Sequence, residues 1–592
     1  MIEEVGSLPG LPRDEGGPVF SRPWEAQAFA MTLALHERGL FTWSEWAQAL
    51  GARIAAAQAE GDADLGDTYY HHWITALENL IAAKGAASLG ELVRHQNAWH
   101  RAADRTPHGQ PIDLQPGDFD TVAEPAAALQ AILAIQRAAF LAHPMPGKAE
   151  RRRQLTRLKG ALLGHKEALA AAVARDFGGH SRDEALLVEI FPLVGGLKAA
   201  IRNLGKWMRP SRRRVGWPFL PSRARVMYQP LGVIGIVTPW NYPVLLSIGP
   251  LIDIIAAGNR AMIKTSEFTP ATAQVLKAML AEVFPVDWVA VVTDDSGDAA
   301  QDFGRLRFDH LVFTGSGRTG RKVMRAAADN LVPVTLELGG KSPVIIGEDA
   351  PIETAAERIC WGKSLKSGQS CTAPDYVLCP RSRLEDLVRA CRSCYVRMFP
   401  TLKDNPDCTS IINEKHYRRL LGLLEDARAK GARLEELNPA REDLSGVRKL
   451  PMVLVLGATN EMQVMREEIF GPILPIVPYD RIDDAIAYVN GHPAPLALYL
   501  FSFDKALQQR VAVATRSGAL SINDTMTHAG ISDLPFGGIG ESGMGHYHGR
   551  EGFLAFSKAK AVFSRGRINT GRRLYAPYGR LAQRIALLLS LR

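Results

Sequence analysis

Between Leu231 and Ser316 the chain carries four short apolar runs rich in β-branched residues, each followed by a stretch with helical spacing. LGVIGIVTP precedes a helix expected from about Pro243, and RAMIKTS precedes PATAQVLKAMLAEVF. DWVAVVT precedes the segment from Ser296, and HLVFTGS precedes GRKVMRAAADNL. Neighbouring parallel strands need a long crossover between them, normally a helix, so this rhythm predicts a parallel sheet in a doubly wound α/β domain. A second set of strands follows after SPVIIG, and ALQAILAIQRAAFLAHP and RRQLTRLKGALLGHKEALAAAVARDFG upstream read as amphipathic helices.

The beginning of the chain has another texture. Residues 1–117 hold 15 Asp and Glu against 8 Lys and Arg, a net −7 within a chain whose total is +8. Five of the ten tryptophans lie there as well. WEAQAFAMTLALHERGLFTWSEWAQALGARIAAAQ predicts two helices broken by a turn at Gly39, with Trp43, Trp46 and Leu50 on one face of the second. HHWITALENLIAAKG predicts a third, stopped at Gly85. So sharp a shift in charge indicates a separate small helical module, joined to the rest between about residues 109 and 125 in PHGQPIDLQPGDFDTVAEPAAA.

Composition limits the function classes. With 46% apolar and 22% charged residues the 592-residue chain is ordinary globular protein. Its six cysteines, all between Cys360 and Cys408, are too few for a disulfide scaffold and imply free thiols in a reducing compartment. No apolar run approaches the ~18 residues of a membrane span, and MIEEVGSLPG lacks the apolar core of a secretory signal, so a cytoplasmic location is expected. The arginine run Arg212–Arg214 lacks interleaved aromatics and reads as a solvated connection, and no nucleic-acid partner is expected. Cys391 and Cys394 sit in the amphipathic LEDLVRACRSCYVRMF and read as core thiols.

Several stretches carry chemistry. FTGSGRTGRKV places Gly315, Ser316, Gly317 and Gly320 between a strand and a helix, where backbone N–H groups and the helix N-terminus favour a phosphate. MIKTSEFTP ends a strand with Lys264 and Glu267, which out of context read as surface charges but at a sheet's carboxyl edge can bond ribose hydroxyls. TPWNYPV offers the Asn241 amide just after a strand. VTLELGGKSP sets Glu337 among apolar residues, where an unused carboxylate would be costly. LKSGQSCTAPDYVL places Cys371 among small residues before Pro374, a setting for a nucleophilic thiol.

In that order, PLGVIGIVTPWNYP, GNRAMIKTSEFTP, FTGSGRTG, VTLELGGKSP, SGQSCTAPDYVL, EEIFGPILPI and LPFGGIGESGMGHYHGREGF resemble the aldehyde dehydrogenase superfamily over about 470 residues. SINDTMTHAGISDLPFGGIGESGMGHYHG is most similar to its fatty and aromatic aldehyde branch, bacterial coniferyl aldehyde dehydrogenases in particular. The resemblance implies a Rossmann-like cofactor domain, an α/β catalytic domain and oligomerisation strands, with a mainly NAD-binding region over residues 118–340. A mainly catalytic region over 341–530 and an oligomerisation segment with a basic amphipathic tail over 531–592 would follow.

It further implies that Cys371 attacks the aldehyde, that the Asn241 amide and the Cys371 N–H hold the oxyanion, and that Glu337 activates water on the resulting thioester. Lys264 and Glu267 would hold the adenosine ribose, and Gly315, Ser316 and Gly320 would shape the pyrophosphate turn. Glu468 would bind the nicotinamide ribose, with Phe470 and Trp240 as walls. Relatives that pass the acyl group to coenzyme A lack the glutamate at the position of Glu337, so a free acid is the expected product. Glu267 would repel a 2′-phosphate, favouring NAD, although the branch includes enzymes using NADP. Gly317 departs from the threonine or larger residue of many relatives. A homodimer acting on an aromatic aldehyde such as coniferaldehyde, or on a medium-chain aliphatic one, is implied.

VFSRPWEAQAFAMTLALHERGLFTWSEWAQALG, DTYYHHWITALENLIAAKG and RAADRTPHGQPIDL resemble nitrile hydratase accessory proteins and the N-terminal part of that enzyme's β subunit, over residues 8–115. That likeness implies docking onto a nitrile hydratase α subunit, and the rival reading is a maturation factor with the dehydrogenase as passenger. His71, His72, His95 and His100 lack a paired cysteine or carboxylate motif and read as helix-face histidines, so no metal site is expected.

Overall fold

The four apolar runs form strands Val233–Val237, Arg260–Lys264, Val289–Val292 and His310–Gly315 of one six-stranded sheet. The computed structural model describes residues 13–14, 17–18, 20, 22–59, 69–87, 92, 95, 98–99, 102–103, 106, 111–115 and 125–592, except 217–218, 294–298, 570, 573–574 and 592. Ser296, His100 and most of the expected join at 109–125 therefore lie outside the described residues. By internal contacts the chain divides into two units, Met1–Glu124 and Pro125–Arg592.

The first unit is built on helices Pro23–Glu37, Trp43–Ala59 and Tyr69–Ala83, preceded by paired two-residue strands Arg13–Asp14 and Gly17–Pro18. Gly39 has a φ of +76° and makes the expected turn between the first two helices, which few residues other than glycine adopt. Trp43, Trp46 and Leu50 are buried together. Trp46 lies 4.8 Å from Trp73, whose indole N–H donates to Thr32 Oγ1 at 2.8 Å. The His71 ring lies 5.1 Å from that of Trp24, tilted against it, and His72 is buried, both on the helix Tyr69–Ala83.

In the second unit the six-stranded sheet runs in the order Gly543–Met544, Val334–Leu338, His310–Gly315, Val233–Val237, Arg260–Lys264, Val289–Val292, parallel except for the first strand. VIGIV and RAMIK are buried at every position because helices cover both faces, which is why these strands read as continuous rather than alternating apolar runs. A seven-stranded sheet follows, from Arg433–Leu437 through Met452–Leu456, Ile473–Tyr479, Tyr376–Pro380, Pro343–Ile346 and Ala497–Phe501 to Ala519–Ile522. Only its first strand is antiparallel to its neighbour. Ser211–Arg213, Arg223–Pro230 and Ser557–Ser564 form a separate antiparallel sheet that takes up the basic segment. The CxxC lies in helix Leu384–Met398, with both thiols buried in the core, and all six cysteines are free.

Candidate active site

Strand order alone locates a crevice. Val233–Val237 has Arg260–Lys264 on one side and His310–Gly315 on the other, so the winding reverses between it and His310–Gly315. In doubly wound sheets a ligand crevice opens at that reversal, outside the carboxyl ends of the strands. A cavity of about 200 Å³ lies there. Pro239, Trp240 and Asn241 line it from the end of one strand and Thr314, Gly315 and Ser316 from the other, together with Glu337, Cys371, Glu468 and Phe470. Three expected reactive residues, more than 120 positions apart at the extremes, thus share one wall.

Asn241 is buried and held from behind. Its backbone C=O accepts from Lys366 Nζ at 2.7 Å, and the same ammonium pairs with Glu189. The second Glu189 oxygen accepts from the N–H groups of Val244 and Leu245, at 2.8 and 3.1 Å, at the start of helix Leu245–Ala257. Lys366 also lies 4.5 Å from the Tyr242 ring and 5.0 Å from Phe177. A buried ion pair surrounded by backbone acceptors and aromatic faces fixes direction in a way that a solvated pair cannot.

The turn leading to Cys371 is strained. Lys366 and Ser367 have φ of 45° and 52°, and Gly368 follows at 72°. Gln369 clamps it: its amide donates to the Lys366 and Ser410 carbonyls at 2.9 and 3.1 Å, and its Oε1 accepts from the Ile412 N–H at 3.0 Å. Non-glycine residues in the left-handed region persist only where the surroundings hold them, and such strain collects at functional turns. Cys371 itself is half-buried. Desolvation, then the nearby Glu468 and Glu337 carboxylates, push its thiol up to about 12.

Glu337 lies in strand Val334–Leu338 opposite Thr314 and Gly543. It is 2% exposed and neither carboxyl oxygen has a hydrogen-bond partner, so burial holds its pKa well above the ordinary range. Glu468 is pushed up to about 8 by burial and then by Asp375, with Oε1 unpartnered. Its backbone is bolted down: Lys341 binds Asp375 and the Glu467 C=O, Asp375 accepts from the Ile469 N–H at 3.0 Å, and Arg419 reaches the Glu468 and Ile469 carbonyls. A Cβ at Gly339 would overlap the Glu468 carboxylate, so the bare α-carbon is what seats that group against the cavity. Phe470 and Trp240 meet edge to face at 5.3 Å.

The phosphate turn forms as its glycines predict. Ser316 caps helix Gly317–Ala328, accepting from the Thr319 N–H at 3.3 Å. A Cβ at Gly320 would press on Leu338, so this glycine lets the helix lie close on the sheet. At Gly317 there is room for a side chain, and the departure from threonine costs the turn nothing. Lys264 ends its strand and pairs with Glu267 at 3.6 Å, at the sheet edge beside the cavity rather than in its lining.

A model of the aldehyde dehydrogenase family matches residues 118–562. A probable coniferyl aldehyde dehydrogenase of Pseudomonas aeruginosa is 53% identical over 464 residues, 78% of this chain and 96% of that protein. The chain belongs to the aldehyde dehydrogenase family. As a member it oxidises aldehydes with a nicotinamide cofactor. Staphylococcus aureus AldH, solved in a substrate-bound state, superposes on this dehydrogenase with a TM-score of 0.73 and 36% identity, covering 78% of this chain and 99% of that one. A Mycobacterium tuberculosis aldehyde dehydrogenase complexed with NAD+ gives a TM-score of 0.67 at 29% identity, over 74% and 90%. A model of the N-terminal part of the nitrile hydratase β subunit matches residues 4–116.

Sequence reasoning missed other residues of the dehydrogenase site. Thr314, Gly339, His416 and Arg419 line the cavity. His416 sits in the first turn of helix Glu414–Ala429, 5.0 Å from Trp240. Nothing in EKHYRRLL distinguishes these two from an ordinary solvated helix face. Thr314 and Gly339, by contrast, adjoin recognised motifs and were open to inspection. Among the described residues no group of three His, Cys, Asp or Glu is placed to hold a metal ion. No described helix is long and apolar enough to cross a membrane.

Proposed function

We propose that this enzyme oxidises aromatic aldehydes of the coniferaldehyde class, with medium-chain aliphatic aldehydes as secondary substrates, to free carboxylic acids through Cys371, Asn241 and Glu337. The observation that carries the reading is one cavity at the switch point lined by a thiol, an amide and an unpartnered carboxyl. The Cys371 thiol gives its proton to water as its sulfur adds to the aldehyde carbon, and the carbonyl oxygen becomes an alkoxide, which the Asn241 amide and the Cys371 N–H stabilise as its charge develops. The Lys366–Glu189 pair keeps Asn241 aimed at that oxygen. After oxidation the carbon is a thioester. Glu337, which must first lose the proton that burial keeps on it at rest, takes a proton from water as it attacks, the C–S bond breaks, and that proton passes to the departing sulfur as the acid leaves.

The residues present fit a nicotinamide dinucleotide. The cavity runs from the Ser316-capped helix start, where a phosphate is favoured, to the unpartnered Glu468 oxygen, which suits a ribose hydroxyl, and on to Cys371. Bound there, the oxidised cofactor supplies the acceptor for the hydrogen and electron pair leaving the aldehyde carbon. Gly315 and Ser316 would hold its pyrophosphate, Gly320 would bring that helix close, and Phe470 and Trp240 would wall the ring. Lys264 and Glu267 would hold the adenosine ribose, and the Glu267 carboxylate makes NAD the favoured cofactor over NADP.

The test is reduced-cofactor formation by the full chain with aromatic and aliphatic aldehydes, with NAD and NADP in turn. Turnover led by aromatic aldehydes and NAD, and abolished by Cys371→Ala, is expected. A folded protein that binds NAD yet oxidises none of them refutes the reading. The likeness of residues 4–116 to the β subunit supports a docking role for the first unit toward a nitrile hydratase α subunit, which co-purification tests. A homodimer is the expected assembly, and elution as a monomer at micromolar concentration would overturn it.

A further inference from the structure

Helix Leu581–Ser590, the last one described, is amphipathic with its sides reversed. On a 3.6-residue period Leu581, Ile585, Leu588 and Leu589 share one face, and Gln583 falls opposite with Leu587 beside it. Gln583 is the residue turned inward. Gln583 is 7% exposed, its amide donates to the Tyr575 C=O at 3.0 Å, and its Oε1 accepts from the Arg580 N–H at 3.1 Å. Leu581, Ile585, Leu588 and Leu589 are 49 to 74% exposed, and Tyr578 just before them is 81% exposed. An outward apolar face of this kind marks an interaction surface rather than scattered surface leucines.

Charge selects the occupant. From Gly552 to Arg592 the sequence holds nine Lys and Arg and no Asp or Glu. Arg580 caps the helix and Arg584 lies at the rim of the apolar face, beside Leu587 and Leu588. The strand Ser557–Ser564 that leads toward the helix carries Lys558 and Lys560. It pairs with Arg223–Pro230 in a register that sets Arg225 opposite both Val562 and Arg212. Two arginines facing each other across strands repel unless an anionic surface lies against them. Packing two copies of the helix by their leucine faces would leave Arg584 at the seam with no Asp or Glu from Gly552 onward to pair it. An anionic bilayer instead meets the leucines with acyl chains and the arginines with phosphates.

We propose that helix Leu581–Ser590 and the basic segment before it dock this enzyme reversibly on the surface of an anionic phospholipid bilayer. Its ten residues span about 15 Å, which suits lying in the headgroup boundary and is too short to cross it.

The test is co-sedimentation of the full chain with vesicles of phosphatidylcholine and phosphatidylglycerol at about 3:1, against phosphatidylcholine alone. Binding to the anionic vesicles is expected, with weakening in high salt and a loss of at least about tenfold in the variant Ile585→Ser/Leu588→Ser. Both positions are exposed and outside the catalytic cavity, so aldehyde oxidation by the variant stays at the parent level and reports its folding. Equal binding to both vesicles, or equal binding by parent and variant, overturns the proposal. So does a parent that stays in solution with both vesicles yet elutes as a larger assembly than the variant, which would assign the face to a second copy.

Discussion

Gly339→Ala isolates the part of the cofactor site that depends on Glu468 without touching the reacting residues. The new Cβ would overlap both Glu468 carboxyl oxygens, and ordinary van der Waals contact requires that carboxylate to retreat by about 1 Å or more. The backbone at residue 339 lies outside the left-handed region, so alanine brings no strain there. The atoms displaced are the far end of a flexible side chain, so the fold gives way cheaply. The carboxylate, however, leaves the place where a ribose hydroxyl would find it. At about pH 9, above the value of about 8 at which Glu468 ionises, a hydrogen bond to this charged group contributes about 1.5 to 3 kcal/mol. At about 1.4 kcal/mol per decade, losing it raises the KM for NAD by about 10- to 100-fold. Steady-state kinetics with NAD varied at saturating aldehyde, beside thermal melting of parent and variant, checks this. An unchanged KM in a folded variant refutes the role given to Glu468. A melting temperature that collapses refutes the claim that Gly339 is there for the cofactor rather than for packing.

Four further outcomes follow from the buried ionisable groups. Glu337→Gln should keep the first burst of reduced cofactor while steady turnover falls by about 100-fold or more, as seen by rapid mixing, because its carboxylate is needed as a base only to release the acid. Burial holds Glu337 above its ordinary value of 4.5, so its neutral form stabilises the fold below that pH and the contribution is lost as pH rises through the folded value. Glu337→Gln should therefore melt above the parent at pH 8, with the gap closing toward pH 4. Lys366→Met strands the Glu189 charge in the core and should cost about 3 to 5 kcal/mol in denaturant unfolding. Lys366→Met/Glu189→Leu should recover most of that stability while kcat stays low, since the Asn241 carbonyl has lost its anchor. The KM for NAD should fall as pH rises through about 8, where Glu468 ionises and becomes the better acceptor, and Glu468→Gln should flatten the profile.

The sheet was legible because its strands are buried on both faces and its crossovers are helical, so apolar runs and helical spacing alternate within about a hundred residues. Cys371, Glu337 and Asn241 were legible because each stands out against its own neighbours: a thiol among small residues, a carboxyl among apolar ones, an amide at a strand's end. The groups that hold them are a different matter. Lys366 and Glu189 are 177 residues apart, and each alone reads as one charge on a helix or turn. Arg419 and His416 come from a helix whose solvated face has the same composition as their own. Pairings of this kind arise only when the two sheets and the turn at Lys366–Gly368 close on one another, and no local period encodes them.

The same burial explains why the missing half matters to the chemistry. Cys371, Glu337 and Glu468 face one poorly hydrated cleft, and all three are shifted toward their neutral forms. Groups so close titrate as a set, since ionising one makes ionising the next harder. A cleft of three unanchored acids would relieve that strain by turning outward to water. Here it cannot. Glu337 is locked in a strand between two neighbours, Glu468 is bolted through Lys341, Asp375 and Arg419, and Cys371 follows a turn clamped by Gln369. The reactive residues keep their protons at rest because the scaffold denies them solvent. The reactivity of the site therefore resides as much in the Lys366–Glu189 and Lys341–Asp375 pairs as in the thiol they surround.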